Sequence, residues 1–256
     1  MSPIGRCAVV GNGRLGRALT AALPWLEGPF GRGFDGVDAA GTAFDVVVLA
    51  VPDGQIAAAS AAVLVGPVVG HCAGSLGLDV LAPHHAFGMH PLMTVTHQGV
   101  RFAGAGAAIA GDTPHALSVA RSLADALQLN SFRIDDADRA AYHAAASIAA
   151  NFLVTLEDAA EQMMATVGAD RSVLVPLVRA ALENWSDLGA QRAMTGPVAR
   201  GDHATVARQR SAVAERAPEL LALFDVLCER TRALVSRADP SNPDPTRDDP
   251  PELPSG

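Results

Sequence analysis

The sequence of 256 residues contains no lysine, and all nineteen of its basic residues are arginine. This absence excludes Schiff-base chemistry, a P-loop lysine and any other mechanism that needs a lysine amine. Only three cysteines occur, and they are far apart, with neither a disulfide framework nor a CxxC metal spacing. We therefore expect reduced thiols, no bound metal and a cytoplasmic location.

Excess positive charge and long apolar runs are also missing. The formal net charge is −8, whereas nucleic-acid and anionic-membrane partners require a basic surface. No apolar run reaches the roughly 18 residues that span a bilayer. Residues 1–10 lead directly into a glycine motif instead of a cleavable signal. We expect a protein that is neither secreted nor membrane-inserted and that acts on a small molecule.

The clearest motif is a glycine-rich turn close to the start of the sequence. Residues 4–10 form a short apolar run, and RALTAALPWL after the turn has helical spacing. A GxGxxG spacing alone is weak, but between a strand and a helix it is typical of a dinucleotide-binding turn. We expect Gly11 to permit the turn, Gly13 to let the backbone approach a pyrophosphate, and Gly16 to allow helix–strand contact. A structural turn that binds nothing is the alternative.

Apolar runs and alanine-rich segments alternate over the first half of the chain. The predicted strands after the first lie at about 28–36, 45–52, 66–71 and 106–111, and helical segments lie near 54–64 and 114–128. This alternation predicts a parallel sheet with helices on its faces. The fold class is therefore α/β, with an N-terminal Rossmann doubly wound sheet over residues 1–135.

The pattern becomes helical from Asp136 onwards. One long helix is predicted to start at Asp136 or Asp138 as N-cap and to stop at Gly168. Further helices are predicted near 171–185 and 203–236, with Asp202 as the N-cap of the last. We predict an all-α domain over 136–236, serving the substrate and dimerisation, and a disordered proline- and acid-rich tail over 237–256.

The segment after the second predicted strand bears on cofactor choice. NAD-specific sites usually place Asp or Glu about 20 residues after the glycine turn, but this chain has Gly31-Arg32-Gly33 there. Arg32, assisted by Arg14, suits a 2′-phosphate, so NADP is favoured. Asp35 keeps NAD as an alternative, and Arg32 could be a solvated loop charge. The predicted cofactor-binding residues are Gly11, Asn12, Gly13, Arg14, Leu15, Gly16, Arg32, Val51, Pro52 and His71.

Several motifs together resemble a known group of enzymes. They are VPD (51–53), HCAGSLGLDVLAP (71–83), GMHPL (88–92), YHAAASIAANFLVTL (142–156) and TGPVARGD (195–202). Over residues 4–235 the chain resembles Rossmann-like oxidoreductases of the 6-phosphogluconate-dehydrogenase-like superfamily whose C-terminal domain is of unknown function. Ketopantoate, pyrroline-carboxylate and NADP-dependent deazaflavin reductases are related. The resemblance implies nicotinamide binding, a helical domain that often dimerises, and an active site in the cleft between the domains.

One departure from these relatives is chemical. Ketopantoate reductases and β-hydroxyacid dehydrogenases use a lysine and an asparagine from the first long helix of the second domain. The resemblance therefore implies that both residues should occur in this chain. This chain offers no lysine. Either another group donates the proton, or the chemistry is not carbonyl reduction of that type.

Polar residues on the first predicted long helix are the leading catalytic candidates. His143, Ser147 and Asn151 are four residues apart and so share one helix face. We expect His143 to donate a proton and Asn151 to bind a substrate carbonyl or carboxylate. Hydrogen bonding to backbone in an interdomain seam is the alternative.

Other polar residues are weaker candidates. His71 and His90 follow segments that should end at the carboxyl edge of the sheet, where ligands bind; each alone is more often structural. Arg200 could capture a substrate carboxylate or be an ordinary surface arginine. The remaining loop histidines that we considered are expected to be exposed: His84, His85, His97 and His115.

These observations predict an NADP-dependent oxidoreductase that transfers hydride to a small carbonyl or imine. The specific expectation is a 2-keto acid, as in ketopantoate reduction, with His143 or His90 supplying the proton. One alternative is an imine or pyrroline-carboxylate-type reductase. Another is a non-catalytic module that binds NADP and reports it to a partner. We further predict a homodimer formed through the C-terminal helices.

Overall fold

The computed structural model describes residues 4–95 and 100–237. The chain forms two compact units, of which the first reaches Phe152 and the second begins at Leu153. This division comes later than the predicted domain boundary between residues 135 and 136. Within the described ranges, no helix combines the length and apolar character needed to cross a membrane. His97 and the tail from residue 238 lie outside the described residues.

The first unit is organised around a seven-stranded sheet. The strand order is β2-β1-β3-β4-β5-β6-β7, which places β2 and β3 on opposite sides of β1. The second strand lies earlier than predicted, and the fifth and seventh strands have no counterpart in the predicted set. The strands are β1 (Cys7–Val10), β2 (Leu26–Phe30), β3 (Val46–Leu49), β4 (Val68–His71), β5 (Ala86–Leu92), β6 (Gly106–Gly111) and β7 (Asn130–Arg133).

Strand direction divides this sheet into two parts. β1 to β4 are mutually parallel, as predicted, and the unpredicted β5 is parallel to β4. The prediction is wrong for β6, which pairs antiparallel with β5, while β7 is parallel to β6. The connection over residues 93–105 contains no helix in its described part. Because a parallel pairing requires a crossover that brings the chain back to the opposite edge, the direct return gives an antiparallel pair.

Helices cover both faces of the sheet. Residues of β1 and β3 alternate between two apolar clusters, with Cys7 and Val9 in one and Ala8 and Val10 in the other. Strands buried on both faces explain why their sequences are continuous apolar runs. The helices are α1 (Arg14–Ala22), α2 (Ile56–Ala62), α3 (Pro114–Ala126) and α4 (Arg139–Ser147), with 3-10 turns at Asp53–Gln55, Leu78–Leu81 and Asp136–Asp138.

The predicted long helix from residue 136 is divided in the structure. A π-helical turn at Ile148–Phe152 separates α4 from α5 (Leu153–Ala165). Neither predicted N-cap makes a capping hydrogen bond, because the Asp136 carboxylate instead accepts from Arg139 Nε and from the backbone N–H of Leu78. The glycine predicted as a stop follows the helix at a positive φ of 78°.

The second unit is helical in its described residues. Asp202 is the N-cap of its penultimate helix, as predicted, because its Oδ1 accepts from Thr205 N at 3.0 Å. The helical segment predicted near 203–236 contains two helices, because Pro218 lacks an N–H and a 3-10 turn at Pro218–Leu220 divides it. Besides α5, the helices are α6 (Val175–Leu188), α7 (Ala190–Ala193), α8 (His203–Arg216) and α9 (Leu221–Val235), with a 3-10 turn at Arg171–Val173.

Candidate active site

A cavity of about 570 Å³ lies at the carboxyl ends of β1, β2 and β3, and we call it the glycine-turn cavity. Ligands of open α/β folds bind at this edge, where the strand order reverses. Its walls are mostly backbone and small side chains. The lining residues are Val10, Gly11, Asn12, Gly13, Phe30, Gly31, Arg32, Gly33, Phe34, Ala50, Val51, Pro52, Gly54, Gln55, Ala58 and Ala59.

Two glycines of the turn are required by close backbone contacts. Gly11 has a φ of +114°, and a Cβ there would overlap the carbonyl of Ala50. A Cβ at Gly16 would overlap the carbonyl oxygen of Gly11, so α1 packs directly onto the turn. Tight turning and close helix packing are thus the local reasons for these glycines.

The third glycine of the turn is open. No described atom lies within 4 Å of the position that a Cβ on Gly13 would take. Gly13 is also the N-cap of α1, and no side chain in the described ranges caps this helix end. The first N–H groups of α1 therefore face open space at the positive end of the helix dipole, which fits a pyrophosphate.

The end of β2 offers a cation and no carboxylate. Arg32 lines the glycine-turn cavity. Asp35 does not, and its Oδ1 instead accepts a hydrogen bond from Val37 N at 3.2 Å. Phe30 and Phe34 stack at 4.2 Å between ring centroids in the wall beside Arg32, and no local sequence signal had marked them.

Four of the predicted cofactor-binding residues do not line this cavity, namely Arg14, Leu15, Gly16 and His71. Arg14 and Leu15 belong to the first turn of α1, and Arg14 is exposed. His71 is fully buried; its Nε2 bonds to Gly77 O at 3.1 Å and its Nδ1 accepts from Ala73 N at 3.2 Å. Burial lowers the pKa of His71. This ring holds the turn after β4, which supports the structural role over the catalytic one.

A second cavity of about 610 Å³ lies between β5 and α4, and we call it the β5–α4 cavity. It brings together the four predicted catalytic residues, His90 from β5 and His143, Ser147 and Asn151 from the helical face. Their shared location follows from the spacing of four residues along the helix. The other lining residues are Leu92, Met93, Thr94, Val95, Tyr142, Ala145, Ala146, Ala149 and Ala150.

Tyr142 is a site residue that sequence reasoning missed. Its hydroxyl oxygen lies 2.7 Å from His90 Nδ1, and the two rings meet edge to face at 5.5 Å. The ring centroid of Phe132 in β7 lies 5.8 Å from that of Tyr142. The available signals were that this is the only tyrosine of the chain and that it precedes His143.

His90 is held neutral by its surroundings. Burial, and after it the nearby His143, lower its pKa to about 4. Arg139 and His71 contribute more weakly in the same direction, and Asp53 opposes the shift. At neutral pH the imidazole therefore carries no charge. The expectation that a protonated His90 supplies the proton does not fit this environment.

The segment after β4 lies next to residues of the β5–α4 cavity and next to the loop that borders the glycine-turn cavity. A Cβ on Gly74 would lie 2.6 Å from His143 Cδ2 and 3.0 Å from His90 Cε1, so only a glycine leaves these rings in place. The next residue, Ser75, lies 3.5 Å from Asp53 Oδ2 through its hydroxyl. Because the neighbours of Asp53 line the glycine-turn cavity, the two cavities border the same strand-end loops.

Arg139 is a buried cation that is paired through only one of its three nitrogens. It is 1% exposed, and its Nε donates to Asp136 Oδ1 at 2.6 Å. Its Nη2 lies 2.8 Å from the position of a Cβ on Gly88. Neither Nη1 nor Nη2 has a hydrogen-bond partner in the described structure. A buried guanidinium with two unsatisfied nitrogens leaves positive potential inside this unit.

The remaining residues singled out from the sequence lie outside both cavities. Arg200 is exposed, in the loop before α8, and lines neither cavity. The expectation for His84 is wrong, since it is buried with Nε2 3.1 Å from Ser60 O. His85 and His115 are exposed as expected.

Comparison with known proteins finds a family match over part of the chain and a shared fold over most of it. A family model described as DUF2520, a domain of unknown function, matches residues 105–231. That match begins at the start of β6, before the helical part. No curated protein matches the sequence.

Solved structures resemble the chain over nearly its whole length. A candidate NADP oxidoreductase from Bacteroides fragilis is 18% identical, with 89% of this chain and 97% of that chain covered and a TM-score of 0.74. Protein TM1727 from Thermotoga maritima is 21% identical, with coverage of 90% and 98% and the same TM-score. A 1-pyrroline-5-carboxylate reductase from Streptococcus pyogenes is 13% identical, with coverage of 90% and 98% and a TM-score of 0.58. The predicted resemblance is confirmed as a shared fold.

Proposed function

We propose that this chain is an NADP-dependent oxidoreductase that reduces a small carbonyl or imine. The observation that carries the proposal is the open Gly13 turn at the uncapped end of α1, bordering the same loops as a cavity with four polar candidate residues. The fold shared with an NADP oxidoreductase and a pyrroline-carboxylate reductase supports it.

The glycine-turn cavity would hold the cofactor. The backbone N–H groups after Gly13 would bind the pyrophosphate, and Val51 and Pro52 would line the path away from it. Arg32 would bind the 2′-phosphate of NADP. The missing carboxylate at the end of β2, together with the use of Asp35 in its own turn, favours NADP over NAD.

The far end of a bound dinucleotide would reach the strand-end loops beside the β5–α4 cavity. When bound, NADPH supplies a hydride for the substrate carbon. Ser147 and Asn151 would orient the substrate by hydrogen bonds, and His143 would contact its reacting end. The closely packed Gly74 would keep both histidine rings at the cavity wall.

The lining of the β5–α4 cavity bears on the substrate. Its described lining contains no Arg, Asp or Glu side chain, and alanine, leucine, methionine and valine contribute most of the wall. A carboxylate bound there would lack a cationic partner, which is costly in a largely apolar site. We therefore favour an uncharged carbonyl or imine over the 2-keto acid, for which Arg200 had been the expected partner.

Steady-state NADPH oxidation over a substrate panel tests the proposal. The panel should contain neutral ketones and aldehydes, cyclic imines and 2-keto acids, with NADPH affinity measured separately by fluorescence. We expect tight NADPH binding and turnover of a neutral carbonyl or an imine. Tight binding without turnover of any compound would favour the non-catalytic sensor, and absence of NADPH binding would contradict both.

We also propose that the second unit pairs two chains into a homodimer. Its helices expose many large apolar side chains to solvent, which a single chain leaves uncovered. The most exposed are Val154, Val167, Val173, Leu177 and Trp185, with Val175, Leu182, Leu188, Val226, Leu227 and Val235 also exposed.

A further inference from the structure

The contact between Tyr142 and His90 is a candidate proton-transfer pair. A hydroxyl and an imidazole nitrogen 2.7 Å apart form a short hydrogen bond. Both groups line the β5–α4 cavity. The residues come from α4 and β5, 52 positions apart in sequence, so the fold brings them together.

The protonation state of His90 determines what the hydroxyl can do. A neutral imidazole carries one N–H, and with that proton on Nδ1 it donates to the tyrosine oxygen. The hydroxyl proton of Tyr142 then points away from His90 and is available to a ligand in the cavity. Because His90 is neutral at ordinary pH, it can hold the hydroxyl without competing as an acid.

The local electrostatics favour a neutral acid over a cationic one. Arg139 lies one helical turn before Tyr142, and it contacts Gly88, two residues before His90 on the same face of β5. Its guanidinium, whose Nη1 and Nη2 have no hydrogen-bond partner among the described residues, opposes formation of an imidazolium nearby. Burial raises the pKa of Tyr142 overall, and the Arg139 guanidinium opposes that rise because it stabilises a phenolate. Donation from tyrosine produces an anion, whereas a histidine acid would have to start as a cation.

We propose that Tyr142 is the proton donor of the reduction and that His90 is the residue that positions its hydroxyl. This assignment rests on the proposed reductase function. The substrate carbon gains hydride from NADPH, which is oxidised to NADP⁺, and the carbonyl oxygen or imine nitrogen gains the hydroxyl proton. The O–H bond of Tyr142 breaks in this step, and its phenolate regains a proton from water before the next turnover.

Replacing the hydroxyl tests the donor. Tyr142→Phe should lower kcat by about 10² to 10⁴-fold, as expected for loss of a general acid, and should leave NADPH affinity within about twofold. Phe132→Leu is the matched control, because it alters the same aromatic contact without removing a proton, and kcat should change little. A Tyr142→Phe enzyme that keeps kcat within about threefold overturns the donor role.

The positioning role of His90 has its own kinetic signature. His90→Asn keeps an amide N–H near the position of Nδ1, whereas His90→Leu keeps no donor. We expect His90→Leu to lower kcat by about tenfold or more with little change in KM, and His90→Asn to recover most of the loss. Equal activities for the two variants would contradict a role through the hydrogen bond.

A readout independent of turnover is possible because Tyr142 is the only tyrosine. The ultraviolet absorbance of phenolate therefore titrates this residue alone. The surrounding titratable groups, His90, His143, His71, Arg139 and Asp53, remain in the controls. Loss of the donor in His90→Leu should raise the pKa of Tyr142 by about one unit, and Phe132→Leu should not; circular dichroism verifies folding at each pH. If the titration midpoint of Tyr142 is unchanged in His90→Leu, the proposed hydrogen bond between Tyr142 and His90 is wrong. If the midpoint rises but the unmodified protein turns over no substrate, the proposed reductase function is wrong, and the donor role of Tyr142 is wrong with it.

Discussion

The two cavities of the first unit are built by different means. The glycine-turn cavity is made largely of backbone, and its defining contacts join residues within the Gly11–Gly16 turn or in adjacent strands. The β5–α4 cavity is made of side chains that come from distant parts of the chain. The glycine-turn cavity exists because its glycines have no side chains. The β5–α4 cavity depends on which side chains line it. Substitutions should therefore affect the two cavities in opposite ways.

The largest effect is expected where added atoms meet backbone. Gly16→Ala places a Cβ on the Gly11 carbonyl, so α1 must move; we expect a loss of about 2–3 kcal/mol in the free energy of unfolding and about 100-fold weaker NADPH binding. Gly13→Ala has room for its methyl group in the free protein and should weaken NADPH about tenfold without changing Tm. Calorimetry and fluorescence titration measure both. Equal loss of stability in the two variants would remove the distinction between packed and open glycines.

A smaller effect is expected for Arg32, the one cation in the described lining of the glycine-turn cavity. Arg32→Ala should weaken NADPH by about thirtyfold, since a hydrogen-bonded ion pair with phosphate is worth about 2 kcal/mol. NADH affinity should stay within about twofold. Arg121→Ala, which removes an exposed arginine from α3, is the matched control. If the unmodified protein binds NADH and NADPH equally well, the proposed NADP preference is wrong.

In the β5–α4 cavity, shortening a polar side chain should weaken substrate binding without lowering the stability of the protein. Asn151→Ala should raise the substrate KM about fivefold, corresponding to one hydrogen bond of about 1 kcal/mol. NADPH affinity and Tm should not change. Loss of several degrees of Tm with normal kinetics would return Asn151 to a purely structural role.

The smallest effect on either cavity is expected from the second unit. Trp185→Glu puts a charge on an exposed apolar helix face, so we expect the mass measured by light scattering to fall from that of a dimer to that of a monomer. Because the residues lining both cavities lie in the first unit, NADPH affinity should remain within about twofold. Arg179→Glu on the same helix is a control for added negative charge. A monomeric unmodified protein at micromolar concentration would contradict the proposed dimer.

The contrast between the cavities also explains what the sequence could predict. The glycine turn and the valine-rich β3 are local patterns, so their positions follow from spacing alone. The helical face of His143, Ser147 and Asn151 is likewise local, and the structure places all three in one cavity. The partnership of Tyr142 with His90 depends on strand order and on the docking of α4, which no local pattern reports. The buried state of Arg139 and His84 is similarly a tertiary property, since charged and polar residues are ordinarily expected at the surface.

The reversal of direction between β5 and β6 has a consequence for how this site can diversify. A parallel pairing needs a crossover that carries the chain back to the opposite edge of the sheet, usually through a helix, so a change in its length disturbs the layer that packs on the sheet. The connection after β5 instead returns beside its own strand, and Met93, Thr94 and Val95 at its beginning line the β5–α4 cavity. Insertions and deletions there can reshape one wall of the cavity while the glycine turn stays untouched. We expect homologues to differ in length at this connection more than at any other strand end around the two cavities. Exchanging this connection between two homologues should transfer substrate preference without transferring cofactor preference.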